Sequence, residues 1–135
     1  MIINFNQNNN YLLDIRDCLE GSNLWVSIDI IDHTLWIDDD YVSLSHACHL
    51  LQLDCSIPVD ADAPIDQLYD ACNAFNSSRS SKAFFDNGAI HLRMDLSTKG
   101  GVACKALLAT TESFYLDMLS MEEQLKTCEL SKPDY

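Results

Sequence analysis

Basic residues are scarce in the first half of this chain: positions 1–70 hold 13 acids and the single base Arg16, a balance of −12. Positions 71–135 hold eight acids and seven bases, a balance of −1. Nucleic-acid binding is not expected, because neutralising phosphates takes clustered Lys and Arg. The same deficit keeps the chain off anionic membrane surfaces. Long apolar runs are missing too, and no stretch approaches the ~18 residues that span a bilayer. The start, Met-Ile-Ile-Asn-Phe-Asn-Gln, has neither the basic segment nor the apolar run of a signal peptide. The expected location is the cytoplasm.

Motifs that carry chemistry are also absent. The six cysteines (Cys18, Cys48, Cys55, Cys72, Cys104, Cys128) show no C-x-x-C spacing and sit singly in hydrophobic segments. They read as reduced, mostly buried thiols rather than a disulfide scaffold. His46-Ala-Cys-His49 offers zinc-type ligands, but on a strand His46 and Cys48 face one way and His49 the other, so the set does not converge. A calcium loop starting at Asp38 would need glycine at its sixth position and glutamate at its twelfth, where Ser43 and His49 stand. Four histidines (His33, His46, His49, His91) leave a Cys/His pair open, yet nothing marks a cysteine as activated, and no Gly-x-Ser-x-Gly occurs. Gly100-Gly101 reads as a chain reversal, without the spacing of a phosphate loop. No catalytic residue, metal ligand or cofactor is assigned.

What is present suits one folded domain over residues 1–135. The chain is 47% hydrophobic, and that length fits a single core. Residues 1–8 and 127–135 are expected to be loose. A helix is predicted from Asn9 or Asn10 to Glu20, capped by Asn10 and ended by Gly21. Three strands follow at Trp25–Asp32, Thr34–Ile37 and Tyr41–Leu53, joined by turns at Asp32-His33 and Asp38-Asp39-Asp40. After a loop over Ser56–Ala63, Ile65, Leu68, Tyr69, Cys72 and Phe75 give an amphipathic helix over 64–76. Lys82–Phe85 and Ala89–Leu96 flank Asp86-Asn87-Gly88, the strongest hairpin signal in the chain. A long helix is predicted over Val102–Lys126, with Leu107, Phe114, Met118, Met121 and Leu125 on its stripe. The fold class is α+β in the order α-β-β-β-α-β-β-α, an antiparallel sheet packed against helices.

In the segment from Ile65 to Leu125, Leu68-Tyr-Asp-Ala-Cys-Asn73-Ala-Phe-Asn76 ends a helix in two asparagines three apart. A basic-polar run, the aromatic strand Lys82-Ala-Phe-Phe85, the strand Ile90-His-Leu-Arg-Met94-Asp95-Leu96 and Gly100-Gly101-Val102 follow in order. This pattern resembles the YbjN-type family, regarded as bacterial sensory transduction regulators; Phe75 stands where that pattern usually has Trp. The family is similar in architecture to type III secretion chaperones, which implies a domain that dimerises and binds extended segments of other proteins. No catalytic residues come with the resemblance.

The expected function is therefore non-enzymatic protein binding, as a regulator or chaperone-like adaptor in a bacterium. The partner would be a basic protein or an extended segment, held by an apolar patch or sheet edge framed by acids. Trp25 and Trp36, with Asp29, Asp32, Asp38, Asp39 and Asp40, are the candidate partner-binding residues, because tryptophan is enriched at binding hot spots. Both tryptophans also suit a core. An acidic immunity-like or structural homodimer that neutralises a basic partner is the second reading.

Overall fold

The computed structural model describes residues 2–5, 11–22, 26–37 and 40–133. The predicted cap Asn10 and the candidates Trp25, Asp38 and Asp39 lie outside them. Among the described residues there are eight strands and three helices: β1 (Ile2–Ile3), α1 (Tyr11–Leu19), β2 (Val26–Asp29), β3 (Thr34–Ile37), β4 (Asp40–Ala47), β5 (Leu50–Pro58), α2 (Ile65–Ser78), β6 (Lys82–Asp86), β7 (Ala89–Ser97), β8 (Val102–Ala103) and α3 (Cys104–Thr127). The α+β class holds, with a six-stranded antiparallel sheet in the order β2-β3-β4-β5-β7-β6 and a separate β1-β8 pair. Chain contacts divide into two compact units, residues 1–53 with 95–113 and residues 54–94 with 114–135.

In the first unit, α1 buries Leu12, Ile15, Cys18 and Leu19, the i, i+3, i+6, i+7 spacing of one helical face. The pairing of β2 with β3 and of β3 with β4 fixes the faces. Ile28, Leu35 and Val42 align across the strands, as do Val26, Ile37 and Asp40. Leu35, Ile37, Val42 and Leu44 are buried on this side. The predicted single strand Tyr41–Leu53 is instead two strands, turned at Cys48 and His49 with φ of 52° and 63°. Both residues thus occupy left-handed backbone that non-glycine residues rarely take. Near the start of the chain, residues 2 and 3 form a strand. Ile2 and Ile3 pair with Ala103 and Val102, and Ile3 is buried. A Cβ on Gly101 would meet Ile2 Cγ2 at 2.8 Å and the Ile3 carbonyl at 3.2 Å, so glycine is what lets β1 in.

The cysteine expectation is overturned in this unit. Cys18 and Cys104 form a disulfide across a sequence separation of 86. Nothing in the spacing announces it, because the two sulfurs meet through tertiary packing. The other four cysteines form no disulfide; Cys55 and Cys72 are buried, Cys48 and Cys128 exposed.

In the second unit, α2 buries Leu68, Ala71, Cys72 and Phe75. Ile65 and Tyr69, expected on the buried face, are exposed, and Tyr69 meets Phe85 edge-on at 6.2 Å. Pro64 is the cap residue, one position ahead of the helix rather than inside its first turn. The β6–β7 hairpin turns at Asn87 and Gly88, with φ of 51° and 76°, as both residues of a two-residue turn require. Just past α3, residues 128–131 are tied into the fold. Leu130 N–H donates to Leu125, Glu129 N–H to Lys126, and Glu129 has φ 58°. That is a Schellman end with glutamate at the left-handed position. Leu130 is buried and its carbonyl accepts from Asp60, while Ser131 bridges Val59.

Candidate functional site

Cross-strand neighbours share a face, so the register of β2, β3 and β4 decides which predicted residues meet. Ser27, Trp36 and Tyr41 form one row, and Asp29, Thr34 and Ser43 the next, on the side away from Leu35 and Val42. Trp36 is 40% exposed and Tyr41 50% exposed. Their rings meet edge to face at 5.2 Å, a geometry that holds both aromatics upright and leaves each with an open side. Ser27 and Asp29 are exposed beside them.

Asp29 has a second task. Its Oδ1 accepts from the Ile31 N–H at 2.9 Å and from the Asp32 N–H at 3.1 Å. The carboxylate thereby shapes the turn into β3, as Asp side chains commonly do. Ile31 stands at that turn with 89% exposure. Asp32 is exposed in the same turn. Asp40 is half-buried and aligned with Ile37, so it lies on the other face from Trp36. Of the candidates, Trp36 and Asp29 share a face, Asp32 is tied to Asp29 in the turn, and Asp40 lies on the other face. Sequence reasoning missed Tyr41. The pairing of Ile37 with Asp40 leaves a two-residue connection, and that length alone sets Trp36 opposite Tyr41.

Behind this face lies a cluster of rings. Phe5 is 4.8 Å from His46 and 5.3 Å from Tyr11, and Tyr11 is 5.5 Å from His46. His46 Nε2 shares a hydrogen bond of 2.7 Å with the Thr98 hydroxyl. Tyr11 Oη lies 3.4 Å from His33 Nδ1. Burial lowers the His46 pKa from its ordinary 6.5, and nearby His49 lowers it further. Burial likewise raises that of Tyr11. His46 is thus a neutral, packed ring. The strand geometry expected for His46, Cys48 and His49 does not apply, since Cys48 and His49 make the turn and the His49 carbonyl accepts from Thr98 N–H.

The second unit explains the patterned segment. The Asn76 side chain bonds both backbone groups of Ala83, closing the loop from α2 to β6. Asp117 is buried and accepts from Ser81 N–H at 3.1 Å and Ser81 Oγ at 2.7 Å, with Arg79 at 3.9 Å. On the hairpin's outer face Phe84 stacks on His91 at 5.0 Å, with the Arg93 guanidinium 5.7 Å from the Phe84 ring. Arg93 also pairs with Asp54 at 2.7 Å. Asn76, Ser81 and Asp117 therefore hold structure.

Among the described residues no helix is long and apolar enough to cross a membrane. No family model matches the chain, and no curated protein does. Among solved structures it is similar to the crystal structure of YbjN from E. coli, a proposed transcription regulator. The TM-score is 0.74 at 18% identity, over 90% of this chain and 96% of that one. The chain has a YbjN-like fold.

Proposed function

We propose that this chain is a non-enzymatic protein-binding domain, a regulator or chaperone-like adaptor of the bacterial cytoplasm. It takes an extended basic segment at β2. The observation that carries this reading is the Ser27–Trp36–Tyr41 row beside an end strand of the sheet. Aromatic side chains with an open side supply contact area at low entropic cost. Among the described residues β2 has one strand neighbour, β3, and an unpaired strand edge offers backbone groups to an incoming segment. The excess of acid in residues 1–70 attracts a basic partner and speeds its encounter. Arg16, the one base there, already lies 3.8 Å from Asp17. The fold-level likeness to a proposed regulator supports the same direction, and a homodimer is part of the reading.

The test uses a labelled peptide alternating Lys and Val, and a second with Pro at alternate positions, titrated by fluorescence anisotropy. Binding of the first is expected, weakening about tenfold or more as salt is raised through the range that screens surface charge. The proline peptide, which cannot donate along a strand, is expected to bind poorly. Trp36→Ala and Tyr41→Ala are each expected to weaken binding by about tenfold without changing the circular dichroism spectrum. Equal binding of both peptides, or variants that bind as the parent does, would sink the proposal. Salt-sensitive capture of a folded basic protein, with neither peptide bound, would favour an acidic neutralising homodimer instead.

A further inference from the structure

The bond between Cys18 and Cys104 stands in a chain that keeps four other cysteines as thiols, two of them exposed. A disulfide scaffold leaves few exposed thiols, because they pair or exchange during oxidation. In a chain whose other thiols stay reduced, a single bond is most readily accounted for as one that opens and closes.

We infer that Cys18–Cys104 is a reversible exchange site for a small thiol of the glutathione class, that Cys104 is the sulfur which exchanges, and that the bond controls the order of α1. The two sulfurs are unlike. Cys18 is buried in the last turn of α1, while Cys104 is only half-buried and is the first residue of the 24-residue helix α3. Access favours Cys104, and unpaired backbone N–H groups at a helix start stabilise a thiolate there.

Closure runs in two balanced steps. The Cys104 thiolate attacks an oxidised small thiol, R–S–S–R, forming Cys104–S–S–R and releasing R–S⁻. Cys18 then gives its proton to water and its sulfur attacks Cys104 Sγ, forming the internal bond and releasing the second R–S⁻. The protein loses two electrons and two protons, and R–S–S–R is reduced to two thiols. Opening is the reverse, with R–S⁻ attacking Cys104 Sγ and Cys18 leaving.

The consequence for α1 follows from its length. Nine residues are too few to hold a helix unaided. Within its unit α1 touches β1 and β2 and buries Leu12, Ile15 and Leu19, and the disulfide joins its last turn to α3. Opening the bond removes the disulfide tie between the last turn of α1 and the start of α3, and that turn frays.

The experiment equilibrates the whole chain, started reduced and started oxidised, across ratios of reduced to oxidised glutathione. Alkylation with peptide mapping by mass then reads the state of each cysteine. The expected result is one midpoint reached from both directions. In Cys18→Ala a glutathione is expected on Cys104, and in Cys104→Ala none on Cys18. Amide hydrogen exchange in residues 16–19 is expected to quicken about tenfold or more on opening. A bond that stays closed at the most reducing ratio, or never forms at the most oxidising, overturns the exchange site. An adduct on Cys18 overturns the assignment of Cys104, and unchanged exchange in α1 overturns the control of its order. These readouts do not involve the binding of any peptide.

Discussion

The Asn76 side chain acts on Ala83 as a neighbouring strand would: its Nδ2 donates to the Ala83 carbonyl at 3.0 Å, and its Oδ1 accepts from the Ala83 N–H at 2.6 Å. Those two backbone groups point away from β7, since they are spent on Asn76. An asparagine two residues before the end of α2 thus covers part of an end strand of the sheet.

Replacing Asn76 by Leu should leave both Ala83 groups without their partner. A loss of about 2–3 kcal/mol is expected from two hydrogen bonds in a half-buried site, read from urea unfolding. Asn76→Asp keeps the acceptor and removes the donor, so it should fall between. Equal stability of the Leu variant and the parent would contradict the role given to Asn76.

Stability should depend on His46 in acid. Its folded-state pKa lies below the ordinary value of 6.5 because burial disfavours the charged ring. The unfolded chain therefore binds more protons between that lowered value and 6.5. The stabilisation is full above about pH 6.5 and declines as pH falls toward the folded-state pKa. Urea midpoints should drop between about pH 7.5 and 5.5, and His46→Gln should flatten that part of the profile. A histidine variant with the parent's pH profile would assign the acid response elsewhere.

The turn at Cys48 and His49 carries removable strain. Both have positive φ in a two-residue connection between β4 and β5, where Asn-Gly is the preferred pair. The double substitution Cys48→Asn, His49→Gly is expected to stabilise by about 1 kcal/mol, the scale of fitting residue to backbone at such sites. Thermal unfolding measures it, and a lower melting temperature would refute the strain.

That turn also shows where the sequence was legible. The β6–β7 hairpin was readable to within one residue, because Asn87-Gly88 names its own backbone. The β4–β5 turn has no such residues, and the alternation of Val42, Leu44, His46, Cys48 and Leu50 continued through it. The signal was a change of phase. Buried positions are even in β4, at Val42 and Leu44, and odd in β5, at Leu51, Leu53, Cys55 and Ile57. A strand cannot shift its inward parity without a bulge or a turn.

The candidate site was half legible for a related reason. Trp36, Asp29 and Asp32 were named from residue type, a hot-spot aromatic framed by acids, and the cross-strand register adds that Trp36 and Asp29 share a face. Tyr41 required the register, which also sets Asp40 opposite Ile37 and off the face of Trp36. The Cys18–Cys104 bond was out of reach, since local pattern says nothing about residues 86 apart.

A sheet whose two ends are unlike sets an arithmetic for assembly. Asn76 occupies backbone groups on β6 that an added strand would need, whereas β2 carries no such side-chain cover among the described residues. Head-to-tail stacking would set the β2 edge of one copy on the β6 edge of the next, and an occupied β6 edge blocks it from the first addition. Two copies joined β2 to β2 about a twofold axis would instead use up the one uncovered edge that each copy carries. Such a pair would be a closed unit rather than the start of a fibre.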